Sequence, residues 1–127
     1  MYYSYTMPLP IITEIKSRDN FLNRIKTNPG LFIVKFGAEW CAPCKLIEED
    51  VVDCFQKMPD TVQCAIIDVD ENFDLYAFFK SKKIVSGIPT ILCYFQENEH
   101  YIPDDVVMGT DKNEISIFFK RCLEELN

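Results

Sequence analysis

The sequence predicts an α/β fold in which a central mixed sheet of about five strands is flanked by four helices. Short apolar runs rich in branched residues, typical of buried strands, alternate with segments whose apolar residues recur every three or four positions, as in helices. Towards the end of the chain, two strand-like runs follow each other with no helix between them. We therefore expect parallel central strands covered on both faces, followed by one antiparallel hairpin.

The first elements lie before residue 38. Residues 10–13 are a short apolar run bounded by proline, which predicts a first strand. Ser17 is a candidate N-cap for a helix over 17–26, which proline and glycine end at 29–30. Residues 31–36 form a nearly unbroken apolar run, which predicts a central strand that ends at Gly37.

A long helix and a further strand and helix follow. After Pro43, residues on one helical face are apolar or cysteine until Pro59 ends the helix. These residues are Cys44, Ile47, Val51, Phe55 and Met58. Residues 62–69 predict a second buried strand, and residues 73–82 predict the next helix.

The last elements are a hairpin and a helix. Residues 90–95 predict a strand, which turns through polar residues 96–100 towards a weaker strand near 106–108. Asp111 and Glu114 have the spacing of a capping box at the start of the final helix. That helix carries a wide apolar face made of Ile115, Phe118, Phe119, Cys122, Leu123 and Leu126.

Composition limits the organisation and the function of the chain. Its 127 residues, 48% hydrophobic and 26% charged, predict one domain over 1–127, with 1–9 as a loose extension. The net charge of -7 and the lack of a basic stripe argue against nucleic-acid binding. Residues 1–10 contain no basic residue, and no segment approaches the roughly 20 apolar residues of a membrane span. We expect a cytoplasmic protein with no nucleic-acid or membrane partner.

Cys41 and Cys44 are the candidate reactive residues. A spacing of three residues at a junction between strand and helix places both sulfurs on one side of the first helical turn. Free N–H groups and the helix dipole stabilise a thiolate there and lower the pKa of Cys41. Cys44 lies further into the helix and is expected to be less exposed. The pair therefore predicts a redox dithiol with Cys41 as nucleophile and Cys44 as resolving thiol.

Other uses of cysteine have less support. A zinc site is the main alternative for such a pair, but the chain has no second CxxC and His100 is its only histidine, so we predict no metal. The other four cysteines are expected to act as small buried hydrophobes, although a regulatory disulfide that involves Cys54 or Cys64 stays open. These four are Cys54, Cys64, Cys93 and Cys122.

Three motifs resemble those of the thioredoxin family. Residues 38–45, AEWCAPCK, match the family's active-site string, which usually has glycine at the position of Ala42. Residues 68–72 and 87–90 are similar to two later family motifs, in the expected order. The resemblance implies a thioredoxin fold and a protein-disulfide reductase without a cofactor, active in electron transport and cell redox homeostasis. Its expected partners are disulfide-containing proteins and a reductase as electron donor, and we expect a monomer.

The resemblance also implies a surface that binds substrate. Residues 87–90 are similar to the family's cis-proline loop, which faces the dithiol. Pro89 is therefore expected to be cis, and Ile88 to pair with the substrate through backbone hydrogen bonds. Trp40 would form an apolar wall of this groove, and Ala42 and Pro43 would complete it.

Lys35 is the main departure from the family. The family usually has a buried aspartate there, which assists deprotonation of the resolving cysteine, and it has a lysine at the position of Ile66. Asp68 lies on the same face of that strand as Ile66. A lysine beside the cysteines would favour thiolates and make the pair more oxidising. Alternatively, its ammonium reaches solvent or pairs with Asp68 and leaves the thiols little changed.

Two smaller departures concern the shape of the site. Gly37 replaces an aromatic residue, which would reshape the contacts with a partner, and Glu49 replaces a proline that kinks the helix. The sequence therefore leaves three functions open: a disulfide reductase, a disulfide oxidase or isomerase with a more oxidising dithiol, and a redox-inactive binding module with a thioredoxin fold.

Overall fold

The structure is a computed structural model that describes residues 7–126, so most of the predicted loose extension at 1–9 lies outside the described residues. It contains four helices and four strands. They are α1 (Arg18–Lys26), β1 (Leu31–Gly37), α2 (Ala42–Gln56), β2 (Val62–Asp68), α3 (Phe73–Ser81), β3 (Thr90–Phe95), β4 (Asp105–Met108) and α4 (Lys112–Glu124).

The four strands form one mixed sheet in the order β2-β1-β3-β4. Strand β1 is parallel to β2 and antiparallel to β3, and β3 is antiparallel to β4. These directions confirm the predicted α/β class, with a mixed sheet, a final hairpin and four flanking helices.

The predicted strand over 10–13 is shorter than expected, and the sheet has four strands instead of about five. Only Ile12 pairs with β2, opposite Ala65, as an isolated parallel bridge. Its N–H donates to the carbonyl of Cys64 at 3.0 Å, and its carbonyl accepts from the N–H of Ile66 at 2.8 Å. Pro10 has no N–H with which to continue the ladder, so pairing stops there.

Side-chain caps begin the first and the last helix. The Ser17 hydroxyl accepts from the N–H of Asn20 at 3.0 Å, as expected for an N-cap. The Asp111 carboxylate accepts from the N–H groups of Asn113 and Glu114, at 2.9 and 3.0 Å. Each cap satisfies N–H groups that have no partner inside the helix.

Two apolar layers hold the helices on opposite faces of the sheet. Leu31 and Ile33 of β1 pack in one layer with α2 and α4, whereas Phe32, Val34 and Phe36 pack in the other with α1 and α3. Successive side chains of a strand point to opposite faces. Lys35 therefore lies on the α2 side of the sheet.

The remaining cysteines belong mostly to the α2 and α4 layer. Cys64, Cys93 and Cys122 are buried, and Cys54 is half-buried. Burial raises the pKa of the Cys64 thiol to about 12. A hydrogen bond with Cys122 and burial both raise the pKa of Cys93.

Candidate active site

Cys41 and Cys44 are joined by a disulfide at the start of α2. Cys41 is the N-cap of the helix and Cys44 lies in its first turn, which puts their Cα atoms 5.3 Å apart. The N–H of Cys44 donates to Cys41 Sγ at 3.2 Å. A sulfur that accepts a backbone N–H at a helix N-terminus is placed where a thiolate is stabilised.

Exposure does not distinguish the two cysteines. We expected Cys44 to be the less exposed, but the exposed fractions are 4% for Cys41 and 3% for Cys44. The two residues differ instead in their place on the helix, because only Cys41 is the residue whose sulfur caps it.

Ala42 and Pro43 form the exposed start of α2. Proline is suited to the first helical turn, because its missing N–H would have no partner there and its φ is already near the helical value. The segment between the two sulfurs is therefore rigid and presents little side-chain bulk.

The Ile88–Pro89 peptide bond is cis, which confirms the prediction for this loop. Phe36 of β1 pairs with Thr90 of β3 in the antiparallel register. The end of β1 leads to Cys41, and the start of β3 follows Pro89. These two strand ends are therefore neighbours at the same end of the sheet. Pro89 is buried, and Ile88 is half-buried.

Backbone and side-chain hydrogen bonds fix the cis-proline loop. The N–H of Gly109 donates to the carbonyl of Pro89 at 3.0 Å. Gly109 has a φ of 90°, in the left-handed region that favours glycine. The hydroxyl of Thr90 donates to the carbonyl of Gly87 at 2.6 Å.

Trp40 lies on the surface beside the dithiol, and 68% of it is exposed. Its indole Nε1–H donates to Asp70 Oδ2 at 2.7 Å. Asp70 is exposed and lies in the turn after β2. This hydrogen bond holds a large apolar surface in a defined position next to Cys41.

Asp68 is engaged in the turn after β2. Its Oδ1 accepts from the N–H groups of Asp70 and Glu71, at 2.8 and 3.1 Å. Within the described chain, no ion pair of 4.0 Å or less joins Asp68 to Lys35. The structure therefore does not bring these two sequence-predicted residues together as a pair.

Lys35 lies at a cleft beside Cys44. The cleft has a volume of about 380 Å³, and its lining includes Lys35, Cys44, Lys45 and Glu48. Only 4% of Lys35 is exposed. Burial lowers the pKa of Lys35, Glu48 partly offsets that effect, and Lys45 adds to it. Lys35 is thus a buried lysine close to Cys44.

A sequence profile of the family described as Thioredoxin matches residues 12–121. This range covers both cysteines, the cis-proline loop and nearly all of the fold.

The chain belongs to the thioredoxin family.

Known proteins of the thioredoxin family are similar along most of the chain. Thioredoxin 3 of Plasmodium falciparum is 29% identical over 118 residues, which are 91% of this chain and 62% of that protein. The mitochondrial thioredoxin of Bos taurus is 26% identical over 110 residues, 87% of this chain and 62% of that protein. The chain thus spans less than two thirds of the length of both relatives.

A solved thioredoxin structure has the same fold. The structure of Trichomonas vaginalis thioredoxin superposes with a TM-score of 0.73 at 27% identity and covers 87% of this chain and 96% of that one.

Among residues 7–126, no helix is both long and apolar enough to cross a bilayer. No three His, Cys, Asp or Glu side chains in that range are grouped as metal ligands.

The thioredoxin-type site includes two residues whose role the sequence did not reveal. Asp70 holds Trp40, and Glu48 faces Lys35 from α2. Asp70 falls within the quoted motif at 68–72, but nothing in the motif indicates its hydrogen bond. For Glu48 a signal was present, since it follows Cys44 by four residues and so lies on the same helical face.

Proposed function

We propose that this member of the thioredoxin family is a thiol-disulfide oxidoreductase that reduces protein disulfides through Cys41 and Cys44. The observation that carries the proposal is the position of Cys41 Sγ, which caps α2 and accepts the N–H of Cys44. A thiolate gains most from this position, because it is the stronger hydrogen-bond acceptor and carries the charge that the helix dipole favours.

The reaction consists of two thiol-disulfide exchanges. The Cys41 thiolate attacks one sulfur of the partner's disulfide, forms a mixed disulfide and releases the other partner sulfur as a thiolate. The Cys44 thiolate then attacks Cys41 Sγ, forms the Cys41–Cys44 disulfide and releases the second partner thiolate. Two electrons pass to the partner, and the protein ends in the disulfide form described above. A reductase would return two electrons and restore the dithiol.

The substrate surface in this proposal surrounds Cys41. Trp40 supplies an exposed apolar wall, and Ala42 and Pro43 supply the flat start of α2. Ile88 would pair with an extended substrate chain, since the start of β3, which follows Pro89, lies beside the end of β1, which leads to Cys41. All three parts are close to the end of β1, which supports a single groove.

A second candidate function is a disulfide oxidase or isomerase. The buried Lys35 beside Cys44 favours it, because a nearby cation stabilises a thiolate and so the reduced form of the pair. Titration of the Cys41 and Cys44 thiols in wild type and in Lys35→Met tests this tuning. We expect higher thiol pKa values in the variant, and equal values would contradict a tuning role.

The biological setting is also part of the proposal. We propose a monomer that acts in the cytoplasm, in electron transport and redox homeostasis, on disulfide-containing proteins and with a reductase as electron donor. One relative is named as mitochondrial, so the compartment needs its own measurement. Cell fractionation with an antibody to this chain would distinguish the two compartments.

Reduction of insulin with dithiothreitol as electron source tests the reductase. Wild type should accelerate the reduction, Cys41→Ser should not, and Cys44→Ser should accumulate mixed disulfides with insulin that mass spectrometry detects. Cys54→Ser is the matched control, since Cys54 lies on the same helix outside the pair. Full turnover by Cys41→Ser would contradict the proposal.

A further inference from the structure

Lys35 and the sulfur of Cys44 both lie within 4 Å of one point in the cleft beside the dithiol. That point is where a Cβ of residue 37 would lie: it is 3.5 Å from Cys44 Sγ and 3.8 Å from Cε of Lys35. Because residue 37 is glycine, no side chain separates the two groups. The Lys35 ammonium therefore lies within electrostatic range of the resolving sulfur.

Charged groups face Lys35 from three sides of the cleft. Helix α2 contributes Lys45 and Glu48, and Lys45 also forms an ion pair with Glu39 at 3.4 Å. The turn after β2 contributes Asp68, whose Oδ1 is bonded to two backbone N–H groups. The other carboxylates that line the cleft are Glu39, Glu14 before α1 and Glu71 after β2.

Glu48 is the carboxylate that acts on Lys35. It favours the protonated form of Lys35 and so keeps its pKa from falling as far as burial and Lys45 would take it. In the described chain the ammonium has no carboxylate within 4.0 Å. Glu48 therefore stabilises the buried charge across the cleft, without a direct ion pair.

We propose that Glu48 is a positioning residue that sets the redox equilibrium of the Cys41–Cys44 pair by acting through Lys35. In the disulfide form, Glu48 is the negative group that offsets the buried ammonium. In the dithiol form, deprotonation of Cys44 gives the same ammonium a second negative neighbour. The inference rests on the proposed function, because it requires that the pair exchange between these two forms.

The sign of the effect follows from the charges. The sulfurs of a disulfide carry no charge, so removing the Glu48 charge leaves Lys35 uncompensated in the oxidised form. The flexible Lys35 side chain can shift its ammonium from Glu48 towards a Cys44 thiolate, so the reduced form depends less on Glu48 and loses less; with a fixed ammonium the lost attraction would be equal in both forms. Direct repulsion between Glu48 and the Cys44 thiolate also disappears, and this favours the reduced form as well. Removing the charge should therefore shift the equilibrium towards the dithiol.

Equilibration with mixtures of reduced and oxidised glutathione measures this shift. We expect Glu48→Gln to lower the equilibrium constant for oxidation of the dithiol at least threefold at pH 7. Glu48→Asp keeps the charge and should stay near wild type. Glu49→Gln is the matched control, because it removes the same charge from the next residue of α2, outside the cleft lining, and should change the constant less than 1.5-fold.

A double variant tests whether Glu48 acts through Lys35. In a Lys35→Met background, Glu48→Gln should shift the constant by less than half as much, on a logarithmic scale, as in wild type. Equal shifts in both backgrounds, no shift in wild type, or an equal shift in Glu49→Gln would each overturn the inference.

The titration of Lys35 provides a readout that does not depend on turnover. NMR signals of the Lys35 side chain in the oxidised protein should show a lower pKa in Glu48→Gln than in wild type, and no change in Glu49→Gln. An unchanged Lys35 pKa in Glu48→Gln would overturn the inference. If wild type did not exchange with glutathione at all, that result would contradict the proposed function itself. If wild type exchanged but Glu48→Gln had the same equilibrium constant, only the inference about Glu48 would be contradicted.

Discussion

Trp40 donates its indole Nε1–H to Asp70 Oδ2 at 2.7 Å, across 30 positions of the sequence. The bond joins the segment before α2 to the turn after β2. Trp40 is largely exposed, so packing alone would leave its ring free to change rotamer. The orientation of the apolar surface beside Cys41 therefore depends on one polar partner.

Loss of the Asp70 carboxylate should release Trp40. The chain contains a single tryptophan, so its fluorescence reports on this residue alone. We expect Asp70→Ala to lower the steady-state fluorescence anisotropy and to reduce kcat/KM for a protein disulfide by roughly two- to tenfold, as for the loss of one hydrogen bond. The free energy of unfolding should change by less than about 1 kcal/mol at this exposed site.

Glu71→Ala is the control for Asp70→Ala. It removes a neighbouring exposed carboxylate whose side chain makes no hydrogen bond in the described chain. It should leave the anisotropy unchanged. If Asp70→Ala also left the anisotropy unchanged, the hydrogen bond would not orient Trp40.

The six cysteines should differ sharply in their rate of alkylation. Burial raises the pKa of Cys64, and a hydrogen bond with Cys122 together with burial raises that of Cys93, so both thiols stay protonated. Both are also shielded from the reagent, because they are buried. After reduction at pH 7, we expect iodoacetamide to modify Cys41 at least tenfold faster than Cys64, Cys93 or Cys122. Peptide mapping by mass spectrometry measures each rate, and urea-unfolded protein, in which all six should react, is the control. Rapid labelling of Cys93 in the folded protein would contradict the buried core.

Much of the fold could be predicted because its signals are local. The apolar runs of β1, β2 and β3 and the caps of α1 and α4 reveal their elements within a few residues. The sequence overestimates the first strand, because an apolar run that follows a proline does not show how many N–H groups find a partner. Only Ile12 pairs, next to β2.

The site could be predicted only in part, since some of its contacts join distant segments. Cys41 and Cys44 are neighbours in sequence, and the cis bond at Pro89 has a motif of its own. No sequence motif of this kind identifies the residue that compensates a buried charge such as Lys35. Lys35 faces Glu48 on α2 and forms no ion pair with Asp68, because Asp68 is bonded to the backbone of its own turn.

Two glycines beside the cis-proline loop should respond differently to alanine. Gly109 has a φ of 90°, where a Cβ is strained, and its N–H bonds the carbonyl of Pro89. We expect Gly109→Ala to lower the free energy of unfolding by about 1 to 2 kcal/mol. Gly87→Ala is the control, because a Cβ at Gly87 meets nothing within 4 Å and its φ is not positive. Urea unfolding measures both, and equal losses would contradict the assigned strain.

The buried charge of Lys35 should make stability depend on pH in a predictable direction. Burial lowers the pKa of Lys35 in the folded protein below the value of about 10.4 that the unfolded chain has. Between these two pKa values the unfolded state binds more protons, so the contribution of Lys35 to stability rises with pH. Below the lowered pKa both states are protonated, and the full cost of burying the cation is present.

Lys35→Met removes this cost and should therefore stabilise the oxidised protein most at neutral pH. We expect a gain of about 1 kcal/mol or more at pH 7, because an apolar side chain of similar length replaces a buried charge. The gain should shrink as the pH rises through the lowered pKa of Lys35 towards about 10. Urea unfolding of both proteins at several pH values measures the difference between their free energies of unfolding. The titration of groups that the two proteins share cancels in this difference. Lys45→Met is the control, because it removes an exposed lysine from the same cleft. It should change the free energy of unfolding by no more than about 0.5 kcal/mol. A wild type more stable than Lys35→Met at pH 7 would mean that Glu48 and the cleft compensate the Lys35 charge fully.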